Sequence, residues 1–305
     1  MDSSPTQTAT VADPARVLRG VAWAVVSMAL FTLTPVFVRF LSSEMHAVEI
    51  IFHRSLIATA VLLAWFHWRG IARLRTRVFR SHVGRAALNF AGMALWFQAI
   101  IAMPLAEATA LHFTLPLYTV IFAALFLGER VGWRRWSATA VGFLGALIVL
   151  RPGAVPVSSE AMMVLASAAF YGGAVVMIKL LTRTDAALPI AFYSNLLMGA
   201  IALVPTIFLW QGPALADIPM LLALAFIGTA APYCFTRALA NLDASVVAPL
   251  DFLRLPFTAF AAWLIFTEVP DRWTWVGAAV IFGSTTYVAR REARLKEREG
   301  AASAR

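Results

Sequence analysis

Apolar residues in this chain gather into ten stretches, each closed by charged residues or by a Pro/Gly-rich break. They lie near residues 20–40, 47–66, 86–103, 106–127, 137–151, 160–180, 188–210, 219–238, 244–266 and 273–290. A helix needs about 20 apolar residues to cross the hydrocarbon core of a bilayer, and most of these stretches approach that length. The fifth is short, and the third and fourth almost touch at Pro104. The pattern predicts an all-α membrane protein with ten transmembrane helices.

The pattern also repeats. The segment Leu105–Trp136 stays apolar to Gly128 and then stops in Glu129, Arg130, Arg134 and Arg135. A degraded copy runs from Leu242 to Trp275: Glu129 and Trp136 are answered by Glu268 and Trp275, and Pro116 by Pro256, at an offset of about 139 residues. A period of that length divides the chain into two related halves. The expected organisation is a flexible N-terminal tail over 1–15, one five-span repeat over 20–151, a second over 160–290, and a basic cytoplasmic tail over 291–305.

Charge sets the expected orientation. With the N-terminus inside, 20 of the 25 Lys and Arg residues fall on the cytoplasmic side, including six between spans two and three. Arg39, Arg151 and Arg272 fall outside, while Arg54 and Arg254 lie within spans. The positive-inside bias therefore places both termini in the cytoplasm, in the inner membrane. Five spans per half is an odd number, so two such halves must be inserted with opposite orientation. The fold class expected is ten transmembrane helices built as two inverted five-helix repeats, a transporter signature.

Composition agrees. The chain is 61% hydrophobic and 13% charged, with mean hydropathy +0.78, whereas soluble domains sit near half apolar and a quarter charged. The +9 net charge is spread over loops and tail, which argues against nucleic acid as a partner. A single cysteine, Cys234, excludes an internal disulfide. No GxxxxGK[ST] loop, HExxH, GxSxG or metal-ligand cluster occurs, so ATP drive, a metal and a cofactor are not expected.

The segments PLAEATALHFTLPLYTVIFAALFLGERVGWRRW, GFLGALIVLRPG and VAPLDFLRLPFTAFAAWLIFTEVPDRWTWVGAAVIFGSTTYVARRE resemble the EamA family of the drug/metabolite transporter superfamily, over about residues 20–291. That resemblance implies a ten-helix secondary transporter of a small organic solute, with cytoplasmic termini. Similar sequences handle amino-acid-like compounds, riboflavin, S-adenosylmethionine or opine-type metallophores. The partners expected are a small-molecule substrate and the lipid bilayer, with a homodimer left open.

Ionisable groups within spans are costly and usually face an interior or a wet cavity. Asp251 and Arg254, three apart between Pro249 and Pro256, read as a paired charge beside a broken helix, serving cargo or helix stability. His112, four residues before Pro116, could bond cargo, carry a coupling proton or simply pack. Trp96, Gln98, Tyr171 and Tyr233, together with Tyr193 and Asn195, suit an aromatic wall with sparse polar atoms or interfacial anchors. Glu49, Arg54, Glu107 and Asp243 are proton-coupling or structural candidates. Glu129 and Glu268 mark repeated helix ends, and Gly142, Gly145, Gly277 and Gly283 read as packing positions. The function expected is secondary transport by alternating access. The alternatives are a membrane-embedded enzyme, for which no catalytic cluster is found, and a non-transporting scaffold, which has no use for charged residues inside span nine.

Overall fold

The computed structural model describes residues 14–70, 74–128, 132–154, 156–242 and 250–303. Residues 1–13 of the expected tail, Glu129, Asp243 and Pro249 lie outside the described residues, while the tail's last two positions, Pro14 and Ala15, belong to the first helix. Within them the chain is helical: α1 (Pro14–Leu41), α2 (Ala47–Arg69), α3 (Phe79–Ala102), α4 (Leu105–His112), α5 (Leu115–Leu127), α6 (Trp133–Leu150), α7 (Ser159–Leu181), α8 (Ala187–Phe208), α9 (Ile218–Asn241), α10 (Arg254–Phe266) and α11 (Arg272–Ser303). Among the described residues, seven stretches are long and apolar enough to cross a membrane, counting α4 and α5 together over Leu105–Leu127. Trp136–Leu150 and Arg254–Phe266 are shorter apolar helices.

The fourth predicted span is two helices. Pro116 carries no N–H, and its ring conflicts with the carbonyl four residues back, that of His112. The ladder therefore breaks after His112, and the N–H groups of Phe113 and Thr114 turn back onto Ala110 and Leu111. The ninth predicted span has the same interruption: Leu253 N–H bonds to Leu250 and Leu255 N–H to Phe252 before α10 proceeds. Pro256 then sits in the first turn of α10, where a missing N–H costs nothing.

The repeat extends to the helix ends. α5 is capped by Gly128 at φ 64° and ψ 23°, and α10 by Thr267, 139 positions later, at φ 60° and ψ 25°. Beyond Thr267, the Glu268 N–H reaches back to the Ala262 carbonyl at 3.2 Å, a Schellman-type closure. A β-branched residue there carries left-handed strain that Gly128 avoids.

α3 begins at Phe79, a full turn and more before the apolar stretch that starts near 86, because helical hydrogen bonding continues past the last lipophilic residue. Arg80, His82 and Arg85 thereby become helical. α11 likewise continues from its apolar half through the basic tail to Ser303.

Packing joins the two halves throughout. α1 lies on α9, α3 on α7, α2 on α8, α6 on α11 and α4 on α10. The α6–α11 contact is backbone to backbone: a Cβ on Gly145 would stand 2.8 Å from the Gly277 carbonyl oxygen, and one on Gly277 would stand 2.5 Å from that of Gly145. Gly142 faces Leu117 and Ser284 as closely, but Gly283 faces open space and is no packing position. Leu105, Leu111, Ile50, Ile100, Phe97 and Ile281 fill a continuous core. The outward faces are apolar, with Trp68, Phe126 and Phe208 among the most exposed side chains, as suits contact with lipid.

Polar contacts tie helix starts to helix ends. At one face the Arg39 guanidinium, at the end of α1, pairs with Glu268 beyond α10 and donates to the Ile100 and Met103 carbonyls. Glu268 also accepts the Leu105 N–H at 2.9 Å, so the end of α10 caps the start of α4. Arg151, after α6, meets Asp271, before α11, at 2.6 Å. Glu49, at the start of α2, accepts the Gln211 and Gly212 N–H groups beyond α8 at 3.0 and 2.9 Å. A second cluster joins the segment before α3 to the α7–α8 connection: Asp185 accepts from Thr76 at 2.6 Å and lies 2.7 Å from His82 Nε2.

Candidate functional site: a cavity at the paired helix breaks

The bundle encloses a cavity of about 480 Å³. Its wall draws on α1 to α5 from the first half and on α7, α8, α9 and α10 from the second. The two chain breaks deliver the central groups: His112 is the last residue of α4, and Arg254 is the first of α10. An unbroken helix would carry both side chains onward along its own ladder. Breaking the helix within the protein interior frees polar groups where they can line a cavity.

His112 is stacked into an aromatic group. Its ring centroid lies 4.5 Å from that of Trp96 and 5.5 Å, edge-on, from that of Tyr171. Its Nε2 is buried and has no partner among the described residues. Arg254 rests on the rings of Phe113 and Phe31, at 4.9 and 5.6 Å from the centroids, a cation–π arrangement. Arg54, from α2, is 8% exposed. It donates to the thioether sulfur of Met93 at 2.9 Å, and its Nε is unpartnered. Its guanidinium occupies the space that any side chain on Gly228 would need: a Cβ there would stand 2.3 Å from Nη2. Gly228 is thus the seat of Arg54.

Of the residues singled out in the sequence, Arg54, Trp96, His112, Tyr171 and Arg254 line this cavity, as does Asn195. Asp251 does not. The chain turns at Phe252 and Leu253, so Asp251 and Arg254 stand on either side of a turn, and they make no ion pair among the described residues. Gln98 is exposed on the far side of α3. Tyr233 is 57% exposed and lies edge-on to Trp23. Glu49 is fully buried in its backbone contacts with Gln211 and Gly212, away from the cavity, and Glu107 is half-buried outside the lining. Tyr193 donates to the Leu74 carbonyl at 2.7 Å.

Reading by span missed Arg85, Asn89 and Met93. Arg85 precedes the apolar stretch and so falls, by composition, among the six arginines between spans two and three. The signal was helical spacing: Arg85, Asn89, Met93 and Trp96 fall at i, i+4, i+8 and i+11, one face of α3, and all four line the cavity. Arg85 reaches the Ile190 carbonyl at 3.3 Å.

A polytopic helical bundle, closed around an aromatic and cationic cavity where two helices break, is the class of protein this geometry defines. The sequence profile of the EamA-like transporter family matches it twice, over residues 18–151 and 158–290. The chain belongs to that family. A riboflavin transporter of Rhizobium johnstonii is 32% identical over 298 residues, covering 96% of this chain and 98% of that protein. An S-adenosylmethionine uptake transporter of Rickettsia bellii is 29% identical, covering 88% and 92%. A pseudopaline exporter of Pseudomonas aeruginosa is 32% identical, covering 86% and 93%. A crystal structure covering 93% of this chain and 99% of its own superposes with TM-score 0.60 at 19% identity, which is a likeness of fold.

Proposed function

We propose that this protein is a secondary transporter that carries a small organic solute across the bacterial inner membrane by alternating access, with the cavity as its binding site. One observation carries the proposal: the cavity is walled by both halves at the point where each half breaks a helix. Sites in such transporters are built from discontinuous helices near the bilayer midplane, between repeats that rock against each other.

The pattern of contacts supports two inverted repeats. Exchanging the halves turns the α1–α9 pair into the α7–α3 pair and leaves α2–α8 and α6–α11 each paired with itself. The start of α2 meets the end of α8, and the end of α6 meets the start of α11, as opposite insertion requires. Positive-inside counting favours cytoplasmic termini, with the Asp185 cluster on the cytoplasmic side and the Arg39–Glu268 pair on the periplasmic side.

In this reading, opening to the periplasm loosens the Arg39–Glu268–Leu105 contacts while the Asp185 cluster stays closed; opening to the cytoplasm does the reverse. His112, Trp96 and Tyr171 receive the ring of the solute, and Arg54 and Arg254 receive its polar groups. The relatives carry names of both uptake and export, so the counterflow assay runs in both directions.

Proteoliposomes preloaded with riboflavin, S-adenosylmethionine or a metallophore of the pseudopaline type test the proposal by counterflow. Saturable exchange of at least one solute, lost in R254A with insertion intact, is the expected result. Absence of exchange for every solute under both inward and outward gradients, with unchanged metabolite levels in cells carrying the protein, would leave the scaffold alternative.

A further inference from the structure

We infer that the solute carries a negatively charged group, and that the cavity selects a planar organic anion over neutral and cationic molecules of the same shape. The inference rests on the cavity's being the binding site proposed above and adds the charge of what binds there.

The observation is an imbalance. Three arginines, Arg54, Arg85 and Arg254, line the cavity, and among the described residues no Asp or Glu does. Their protein partners are a thioether sulfur, one backbone carbonyl at 3.3 Å and two phenylalanine rings. None is a formal negative charge.

Elsewhere the same chain treats arginine differently. Arg39 has Glu268, and Arg151 has Asp271. Where a guanidinium holds helices together, a carboxylate is provided. Among the described residues the cavity provides none, although removing a cation from water without a counter-charge is costly. Guanidinium groups bind carboxylate and phosphate through two parallel N–H donors. Arg54 Nε has no partner among the described residues, and Gly228 leaves room for the guanidinium plane against α9.

The remaining wall fixes the shape. Trp96, His112 and Tyr171 form a continuous aromatic group, and the unpartnered His112 Nε2 offers one hydrogen-bonding position beside it. A cavity of about 480 Å³ lies within the range that encloses a small ring-bearing molecule. A planar ring against these aromatics would place its anionic substituent among Arg54, Arg85 and Arg254. A compact cation would meet three like charges with no carboxylate to receive it.

Three probes that share one ring system separate charge from shape: naphthoate, naphthamide and naphthylmethylammonium, substituted at the same ring position. Binding is measured by isothermal titration calorimetry on the purified full chain in detergent, and exchange by counterflow in proteoliposomes. Naphthoate is expected to bind about tenfold or more tightly than naphthamide, and the ammonium is expected to give no saturable heat. In R54Q and in R254Q the naphthoate-to-naphthamide ratio should fall at least about fivefold while naphthamide affinity is retained, so that the neutral probe reports an intact cavity.

Equal affinity for naphthoate and naphthamide, preference for the ammonium, binding of none of the three, or a ratio unchanged in both variants would overturn the inference. If the ammonium binds and is exchanged, the charge assignment fails while the transporter reading stands. If naphthoate shows the expected preference but is never exchanged, the anion site stands, and the transporter reading is decided by the counterflow of the other solutes.

Discussion

Glu49 offers a sharp test of whether an acid inside a span works for transport or for architecture. Its side chain is fully buried and accepts two backbone N–H groups, from Gln211 and Gly212, at 3.0 and 2.9 Å. These bonds hold the segment that follows α8 against the start of α2. Hydrogen bonds to a charged acceptor contribute about 1.5–3 kcal/mol each, and an orphaned buried donor costs about 1–3 kcal/mol. E49A removes both bonds and leaves two donors without an acceptor, so a loss of about 3–5 kcal/mol is expected. E49Q keeps one carbonyl-type acceptor but turns an amide N–H toward the second donor, for a loss of about 2 kcal/mol. Equilibrium unfolding in mixed micelles, followed by far-UV circular dichroism, reads both. The order E49A worse than E49Q worse than parent should hold, with the pH profile of counterflow unchanged in the E49Q protein that remains folded. If E49Q unfolds at the parental midpoint yet loses the pH dependence of exchange, Glu49 is a coupling group and the structural argument is wrong.

Other consequences are simpler to read. In G145A the new methyl would stand 2.8 Å from the Gly277 carbonyl oxygen and 2.9 Å from the Ile281 nitrogen; backbone cannot yield there, so α6 and α11 must part at about 1–3 kcal/mol, whereas G283A, facing open space, should be neutral or stabilising by the same unfolding assay. T267G should raise stability by about 0.5–1 kcal/mol, because the left-handed conformation at φ 60° is free for glycine, and a drop in midpoint would refute the strain. The Asp185 carboxyl is pushed up by desolvation but pulled further down by hydrogen bonds from Thr76 and His82, so it lies below the usual carboxylate range. A lowered folded-state pKa means that its contribution is complete above the ordinary carboxylate range of about 4 and fades as pH falls through the depressed value. D185N should therefore destabilise at neutral pH and lose that difference in strong acid; an equal difference at every pH would count against it.

Helix content and the approximate spans were legible because a bilayer imposes length and apolarity on anything that crosses it. A repeated pattern was legible because Pro116 and Pro256, Glu129 and Glu268, and Trp136 and Trp275 recur at nearly one spacing, and the caps at Gly128 and Thr267 share one backbone conformation at that same offset. Arg54, Trp96, His112, Tyr171 and Arg254 were legible as polar or aromatic residues inside apolar stretches. Their convergence was not, since it depends on which face each contributing helix turns inward.

The sequence by itself determined a helical membrane protein in two related halves, because hydrophobic runs and repeated breaks are local properties of the chain. Tertiary structure decided the rest. It separated Asp251 from Arg254 by a turn that spacing alone treats as helix, and it drew Arg85 from an apparent loop into the cavity wall. It also assigned Glu49 to backbone donors 162 and 163 residues away. Partners so distant in the chain meet only through packing, and packing left three arginines around one cavity with no acid among the described residues beside them.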